Sequence, residues 1–294
     1  MKIVFVVLQY KGYYETENCV LSIKKYIDID DYKIIIVDNC SPDDSFVKIK
    51  NKYENDEKIL ITKTDKNLGF ANGNNFGIEI ALNKYSPEYV VVLNNDTELM
   101  YGPFTSVIEK KYSETGFSIL GPMVLSRDGK CDSNPIRYGL QDVDSIRHEI
   151  KHFNRHLLIN KIGLSKLYNY YMMRKYEHKR RTTESDNKIF KDQTDVRLNG
   201  CFLVFSPNYF KYYNGFDTGT FMYFEEAILQ LMLRKHNLIG LYTPDIRVFH
   251  YECASTFHSF NESKEYVSFR CTNRIKSRMR YLRLLEDMNK NGEN

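Results

Sequence analysis

Residues 33–53 read KIIIVDNCSPDDSFVKIKNKY. Its first six residues, KIIIVD, are apolar almost throughout, which is typical of a buried strand of a parallel sheet. The run stops at Asp38, and Ser41-Pro42 then gives the start signal of a helix that we expect to continue to residue 53. A buried strand, a polar turn and a helix together form the repeating unit of an α/β fold.

The same alternation continues on both sides of this stretch. The spacing predicts three further strands, KIVFVVL (2–8), KILITK (58–63) and YVVVLNN (89–95). It also predicts two further helices, ETENCVLSIKKYI (15–27) and GFANGNNFGIEIALNKY (69–85), the second becoming helical after its glycines. This order predicts an α/β domain with a doubly wound, mostly parallel sheet flanked by helices.

The second half of the chain departs from this rhythm. Residues 130–195 are polar, basic and rich in Tyr, and we expect a helical insertion there. The expected elements that follow are the apolar LNGCFLVFSP (198–207), the helix FEEAILQLMLRKHN (224–237), two short strands in LIGLYTP and IRVFHY, and a long basic helix over 261–290. We therefore predict one sheet domain over 1–256, with its insertion at about 130–195, and a basic helical extension over 257–294.

Composition indicates a soluble globular protein of 294 residues, with 42% hydrophobic and 27% charged residues. No apolar run approaches the roughly 20 residues of a membrane span, and the N-terminal run is too short for a signal peptide. The six Cys include no CxxC pair. We therefore expect reduced thiols and a cytoplasmic location.

Polar side chains follow four successive predicted strands. The strand ends are Gln9-Tyr10, Asp38-Asn39-Cys40-Ser41, Asp65-Lys66-Asn67-Leu68-Gly69 and Asn94-Asn95-Asp96. Open α/β sheets bind ligands at the carboxyl ends of their strands, so this edge is the expected site. A turn or cap role is the alternative for each Asp taken singly. The glycine-rich NLGFANGNN (67–75) has neither GxGxxG nor a P-loop Lys, which argues against a dinucleotide site.

These motifs, with LNGCFLVFS (198–206), GFDTGTFMYFEEAILQLMLR (215–234) and FHYECAS (249–255), resemble family 2 glycosyltransferases of the GT-A fold. The resemblance is greatest to the bacterial rhamnosyltransferase-type members that build surface polysaccharides. The motifs occur in the family's order over about residues 2–256, whereas 130–195 and the C-terminal tail match poorly.

The resemblance implies a pocket for a nucleotide-sugar donor. Tyr10 and Asp38 would hold the base and the ribose of the donor. Asn67, Gly69 and the glycines that follow would line the nucleotide pocket.

The resemblance also implies a metal site. Asn94-Asn95-Asp96 stands where the family has its DxD-like motif, but only the last position is acidic here. Asp96 would therefore be the main carboxylate ligand of Mn²⁺ or Mg²⁺, and His250 would help to hold the metal or the diphosphate. Asn94 and Asn95 are assigned to the donor side, where Asn95 would contribute either an amide oxygen or a contact to the sugar. One carboxylate binds such a metal weakly, so the metal is expected to arrive with the donor diphosphate.

Glu225-Glu226 occupies the family's Glu-Asp position, which carries the catalytic base. Glu226 aligns with the Asp, and Glu225 remains a candidate; the next acidic position of the family is Ile228 here. A base at this position would deprotonate the acceptor hydroxyl, which attacks opposite the diphosphate and inverts the anomeric centre. The alternative is a pair of carboxylates that merely favour a helix N-terminus.

Two basic regions suggest an anionic partner. Residues 147–181 hold ten Lys/Arg against two Glu, and residues 264–283 hold seven Lys/Arg against one Glu. The first mixes Lys/Arg with Phe, Tyr, Leu and Met, which suits the inner face of the cell membrane and an acceptor on a polyprenyl diphosphate. A solvated helical hairpin or a homo-oligomer contact is the alternative. In the second, Arg270, Arg274 and Arg278 share a helix face and repel unless an anion or an acidic partner is present.

Three other function classes fit less well. A nucleic-acid-binding protein could use the basic segments, but no recognised module is present, and we expect no nucleic acid partner. A nucleotidyltransferase would need a basic Gly-rich loop near the N-terminus, and VLQYKGYYE (7–15) lacks one. A catalytically impaired glycosyltransferase-like binding protein would be consistent with the Asn-Asn-Asp and Glu-Glu-x-Ile departures.

Overall fold

The computed structural model describes residues 1–126, 134–136, 141–177, 187–251 and 263–290. The described strands are β1 (Ile3–Gln9), β2 (Tyr32–Asp38), β3 (Ile59–Lys63), β4 (Tyr89–Asn94), β5 (Thr97–Leu99), β6 (Ile119–Leu125), β7 (Gln193–Thr194), β8 (Phe202–Phe205) and β9 (Gly240–His250). The described helices are α1 (Tyr13–Tyr26), α2 (Ser45–Tyr53), α3 (Gly69–Tyr85), α4 (Phe104–Thr115), α5 (Val143–Lys161), α6 (Ser165–Glu177), α7 (Pro207–Phe210), α8 (Glu225–Lys235) and α9 (Lys264–Lys290), with a short 3-10 helix at Asn187–Phe190.

These strands form one mixed sheet in the order β3-β2-β1-β4-β8-β6-β9-β5, and β7 pairs with β9. β1 pairs in parallel with β2 and β4, and β2 pairs in parallel with β3. The register places Gln9 opposite Asp38, and Leu8 opposite Asn94. The carboxyl ends of these strands therefore meet at one edge, and the predicted α/β fold with a mostly parallel sheet flanked by helices is confirmed.

The other half of the sheet is largely antiparallel. β8 lies antiparallel between β4 and β6, β9 runs parallel to β6, and β5 closes the edge antiparallel to β9. The prediction of two short strands in LIGLYTP and IRVFHY is wrong, because both belong to β9. Thr243 pairs with Pro122, whereas Arg247 already pairs with Met123, so the ladder skips the residues around Pro244. Proline has no N–H to donate to a ladder, and the irregularity keeps the strand in the sheet without that bond.

Helices cover both faces of the sheet, and β1 shows why its residues are apolar without alternation. Ile3, Phe5 and Val7 join one buried cluster with residues of α1 and α4. Val4 and Val6 join a second cluster with residues of α3 and α8 on the other face. Both faces are thus removed from water, as in other parallel sheets.

The helical segments outside the sheet pack on one another. Asn160 of α5 donates its amide to Lys264 O at 2.8 Å and to Ser268 Oγ at 3.0 Å on α9. Tyr281 of α9 is buried against Ala227 of α8. Within the described parts of 130–195, helices cover Val143–Lys161 and Ser165–Glu177, a 3-10 helix covers Asn187–Phe190, and β7 is a short strand that joins the sheet; the described tail is the helix α9. Within the described part of the chain, no helix is both long and apolar enough to span a bilayer.

Candidate active site

Asp38 ends β2 and is almost fully buried. Its Oδ1 accepts the Ser41 backbone N–H at 2.9 Å, and its Oδ2 accepts Gln9 Nε2 at 3.2 Å. The carboxylate thus fixes the turn after β2 and the end of β1 together. The adjacent Tyr10 side chain is exposed, with Lys11 Nζ 5.7 Å from its ring centroid, so a ligand at the same edge can reach the ring.

An amide network joins the ends of β2 and β3. Asn39 Nδ2 donates to Asn67 Oδ1 at 3.1 Å and to Gly69 O at 3.0 Å, and its Oδ1 accepts the Leu68 N–H at 2.8 Å. Asn67 Oδ1 also accepts the Gly69 N–H at 2.8 Å. Asn67 therefore shapes its own loop, and Asn39, to which sequence reasoning gave no role, fixes that loop to β2.

Gly69 begins α3 where no other residue fits. Its φ is +79°, and a Cβ there would lie 2.0 Å from the carbonyl oxygen of Phe221. The Phe70 N–H donates to that same oxygen at 2.8 Å. The need for glycine comes from this close approach of backbone, which brings the segment that precedes α8 to the candidate site.

Asp96, His250 and Asn94 converge next to the ends of β4 and β9. His250 Nε2 lies 3.2 Å from Asp96 Oδ1 and 3.5 Å from Asn94 Nδ2. Asp96 is buried, and the Thr97–His250 pairing of β5 with β9 brings the two residues together. The structure thus juxtaposes two predicted metal ligands that are far apart in sequence. Glu252–Ser255, the rest of the FHYECAS motif, lies outside the described residues.

Asn95 is turned toward the start of α1. Its Nδ2 donates to Thr16 Oγ1 at 3.0 Å and to Lys11 O at 3.1 Å. The amide nitrogen is therefore committed to the loop before α1, and the amide oxygen is the group that remains for a ligand.

The segment before β8 connects the Asp96 side of the site with α8. Cys201 O accepts the Asn94 N–H at 3.0 Å and Thr97 Oγ1 at 3.3 Å. A Cβ on the preceding Gly200 would lie 3.2 Å from Glu226 Oε1. Gly200 thus lies against Glu226, while the next residue, Cys201, bonds to the Asn94–Thr97 segment. Gly200 belongs to the LNGCFLVFS motif that supported the family resemblance, but sequence reasoning gave this glycine no role.

The two candidate bases differ in their surroundings. Glu225 is buried, and its Oε1 has no hydrogen-bond partner. Burial, reinforced by the Glu226 charge, raises the pKa of Glu225 to about 8. Burial also raises the pKa of Glu226, but the Arg197 guanidinium and backbone N–H groups, including that of Gly200, oppose this rise. At neutral pH, Glu225 is therefore largely protonated.

The backbone before α8 is strained. Tyr223 and Phe224 both have φ near +74°. Aromatic residues rarely adopt left-handed conformations, and such strain of about 1–2 kcal/mol per residue concentrates at functional sites. Arg197 and Arg278 lie over the Phe224 ring, with guanidinium carbons 5.6 and 4.3 Å from its centroid. Sequence reasoning assigned no role to Arg197, because its contact with Glu226 and Phe224 depends on the tertiary fold.

The residues at the edge fit a divalent cation in part. Within the described ranges, no group of three or more His, Cys, Asp and Glu side chains could hold a metal ion. Asp96 and His250 supply one carboxylate and one imidazole, and the side-chain amide of Asn94 lies beside them. This donor set suits Mn²⁺ or Mg²⁺ when substrate oxygens complete the coordination.

Comparison with known proteins gives both a family and a fold. A family model described as "Glycosyl transferase family 2" matches residues 6–193, more than half of the chain. No curated protein sequence matches the chain.

Solved structures agree on the fold. GalNAc-T7, in a structure with UDP, GalNAc and Mn²⁺, is 11% identical over 85% of this chain and 44% of that one, with a TM-score of 0.55. S. aureus TarS is 12% identical over 91% of this chain and 41% of that one (TM-score 0.54), and its 1–349 fragment is 12% identical over 93% and 71% (TM-score 0.52). The chain therefore spans less than half the length of GalNAc-T7 and of TarS. These likenesses confirm the predicted GT-A-like fold.

Proposed function

Because the chain belongs to glycosyl transferase family 2, we propose that it is an inverting glycosyltransferase of bacterial surface polysaccharide synthesis, with a rhamnosyl or hexosyl donor. It would move the sugar from a nucleotide diphosphate to a hydroxyl of a glycan or lipid-linked glycan. The observation that carries the proposal is the Asp96–His250 pair at the carboxyl edge, with Glu226 across Gly200-Cys201.

Donor binding is assigned to the strand ends. The exposed ring of Tyr10 would stack on the base, and the loop fixed by Asp38 and Asn67 would receive the ribose. Asp96 and His250, with Asn94 beside them, would hold Mn²⁺ or Mg²⁺ together with the diphosphate. A bound cation of this kind stabilises the negative charge that develops on the leaving diphosphate. The GalNAc-T7 structure, which contains UDP and Mn²⁺, supports the choice of cofactor.

Glu226 is the proposed base, and Glu225 is not. Burial raises the pKa of Glu226, but backbone N–H groups and the neighbouring Arg197 favour its charged form, and a carboxyl group must be ionised to accept a proton. Glu225 is buried and, at a pKa of about 8, holds its own proton at neutral pH. Glu226 would take the proton of the acceptor hydroxyl as that oxygen attacks the anomeric carbon from the side opposite the diphosphate.

The reaction is tested with a panel of nucleotide sugars, assayed for donor hydrolysis with and without Mn²⁺ or Mg²⁺. We expect metal-dependent release of nucleotide from one donor, and its loss in Asp96→Ala. Asp31→Ala, an exposed aspartate at the opposite end of β2, is the control that keeps the activity. Binding of a nucleotide without turnover of any donor, even with candidate acceptors, would support the impaired binding protein instead, and the absence of any nucleotide binding would exclude both.

The acceptor side has its own test once a glycan acceptor is found. Glu226→Gln is isosteric and removes the proton acceptor, so we expect kcat to fall by about 10²–10⁴-fold. Glu225→Gln should retain kcat within about threefold. The reverse order of the two effects would assign the base to Glu225.

A helical hairpin formed by α5 and α6 supports a membrane-facing location. Its exposed apolar side chains, each between 48% and 69% exposed, are Leu158, Ile162, Leu164, Leu167, Tyr170 and Tyr171. The exposed cations among them are Arg155, Lys161, Lys166 and Arg174. This hairpin surface has the composition of a helix pair that lies on an anionic bilayer. We assign it to the inner leaflet of the cell membrane, where a polyprenyl-diphosphate-linked acceptor would be found.

Vesicle co-sedimentation at low salt tests the hairpin surface. We expect binding to phosphatidylglycerol vesicles, weak binding to phosphatidylcholine vesicles, and about tenfold weaker binding when Ile162 and Leu167 are both changed to Ser. Leu21→Ser, an exposed leucine on α1, is the matched control. If the double variant instead converts an oligomer to a monomer and no vesicle binding occurs, the surface is a subunit contact.

A further inference from the structure

A cation enclosed by aromatic rings lies beside the candidate base. The guanidinium carbon of Arg274 on α9 is 5.1 Å from the ring centroid of Tyr223 and 5.5 Å from that of Phe153. Tyr223 is three residues before Glu226, and Ser277 Oγ on the next turn of α9 donates to Met222 O at 3.0 Å. The Arg274 side chain is therefore held against the segment that leads into α8.

Arg274 lacks the acidic partner that its neighbour has. Arg278, one turn further along, donates to the Glu149 carboxylate. Among the described residues no carboxylate pairs with Arg274, and its charged neighbours are Arg270 and Arg278. Burial and the charge of Arg270 lower the pKa of Arg274 from its ordinary value. An arginine nevertheless stays protonated, so α9 holds a partly desolvated cation to which the described part of the chain supplies no carboxylate partner.

A second polar group, on the helix α5 that carries Phe153, has a nitrogen without a hydrogen-bond partner. His156 of α5 is buried, and its Nε2 makes no hydrogen bond. Burial lowers the pKa of His156 to about 4, and the charges of Arg270 and Arg274 contribute to this effect. Its imidazole is therefore neutral at pH 7, and a ring nitrogen can accept a hydrogen bond from an O–H group of a ligand. Buried polar atoms without partners are rare, and each calls for a ligand or another explanation.

The chemistry that satisfies this arrangement is that of a phosphate. The rings of Tyr223 and Phe153 contact the guanidinium of Arg274. Its N–H groups form a planar fork that suits two oxygens of one anion. Arginine combines stacking and bidentate phosphate recognition better than lysine does. A singly protonated phosphate oxygen could also donate to a neutral imidazole.

We propose that Arg274, enclosed by Tyr223 and Phe153, binds a phosphate or diphosphate group of the acceptor substrate. The assignment to the acceptor rests on the proposed function, because it uses the contact of Arg274 with Tyr223, three residues before the candidate base Glu226. The acceptor class is thus a phosphorylated or diphosphate-linked glycan.

The site is tested by calorimetric titration of inorganic phosphate at low ionic strength. We expect wild-type protein to bind phosphate and Arg274→Gln to bind it at least about tenfold more weakly, since a charge-assisted pair is lost. Lys276→Gln, an exposed cation on the same helix, should bind like wild type. Arg274→Lys, which keeps the charge and is the variant least expected to disturb folding, should lie between the two. Equal binding by all four proteins, or no binding by wild type, would overturn the proposal.

Two further measurements show where the anion binds and whether the phosphate site can exist without the proposed function. Saturating uridine diphosphate should leave phosphate binding to wild type intact if the two anions use different sites, and displacement would overturn the proposal. If phosphate binds through Arg274 but no nucleotide binds at all, the proposed function fails and the acceptor assignment falls with it. If only phosphatidylglycerol vesicles, and not free phosphate, bind through Arg274, the group recognised is a lipid headgroup and the acceptor assignment is refuted.

Discussion

Replacing Glu225 by Gln should stabilise the protein in a way that grows with pH. The Glu225 carboxyl is buried with one oxygen unpaired, and its pKa is raised to about 8 from an ordinary 4.5. Below pH 4.5 it is protonated in both the folded and the unfolded chain. As the pH rises from 4.5 through 8, the unfolded carboxyl ionises first, so wild-type protein loses stability that Glu225→Gln keeps.

The magnitude follows from the displacement of the pKa. A carboxyl whose pKa moves from 4.5 to about 8 contributes roughly 5 kcal/mol between the two limits of pH. The charges of Glu225 and Glu226 interact, so part of this effect falls on Glu226. We therefore expect the contribution of Glu225 to the free energy of unfolding to change by about 2–5 kcal/mol between these limits. The buried glutamine amide adds a cost of about 1–2 kcal/mol at every pH, which cancels when two pH values are compared.

The assay is urea unfolding of wild type and Glu225→Gln at about pH 5 and about pH 9. The difference in free energy of unfolding between the two proteins should favour the variant by about 2–4 kcal/mol more at the higher pH, since pH 5 already lies above the unfolded pKa. Glu54→Gln, at an exposed glutamate after α2, controls for the general effect of losing a negative charge. A difference that does not change with pH would refute the reasoning and restore Glu225 as a charged candidate base.

Two further predictions concern the contacts that bring distant segments to the site. Gly69→Ala should lower the free energy of unfolding by about 3 kcal/mol or more, because its Cβ meets the Phe221 carbonyl; Gly116→Ala, with a similar positive φ but only an ordinary van der Waals contact with Asn208 Nδ2 at 3.7 Å, should cost only about 1 kcal/mol. Equal costs in thermal unfolding would show that φ alone matters. Asn75→Leu should cost about 2 kcal/mol, since Asn75 bonds both the N–H and the carbonyl of Phe216; a loss below about 0.5 kcal/mol would contradict this.

Local pattern was sufficient to predict the alternating strands and helices of residues 2–95. Four apolar runs became β1 to β4, and the helix expected in 69–85 is α3, although α3 already begins at Gly69 and not after its glycines as expected. The reason is local. A strand buried on both faces must be apolar throughout, and a helix packed against it must place an apolar residue every three to four positions. Helix α4 and strand β6 received no assignment from the sequence, and β9 was divided in two at Pro244.

The candidate site was predictable as residue types but not as an arrangement. Asp96 and His250 were expected to act together, and the antiparallel pairing of β5 with β9 places them 3.2 Å apart. The different environments of Glu225 and Glu226 were not predictable, since they depend on Arg197 and Gly200, which approach from a separate segment.

The sequence by itself thus determined the α/β class, the polar edge of the sheet and the set of candidate groups, because each depends on neighbours within a few positions. Tertiary structure alone decided the strand order, the protonation of Glu225 and the isolation of Arg274 between two aromatic rings. Those properties depend on which distant residues exclude water and which charges come close. Desolvation acts through space, and the two rings that enclose Arg274 come from positions tens of residues or more away along the chain.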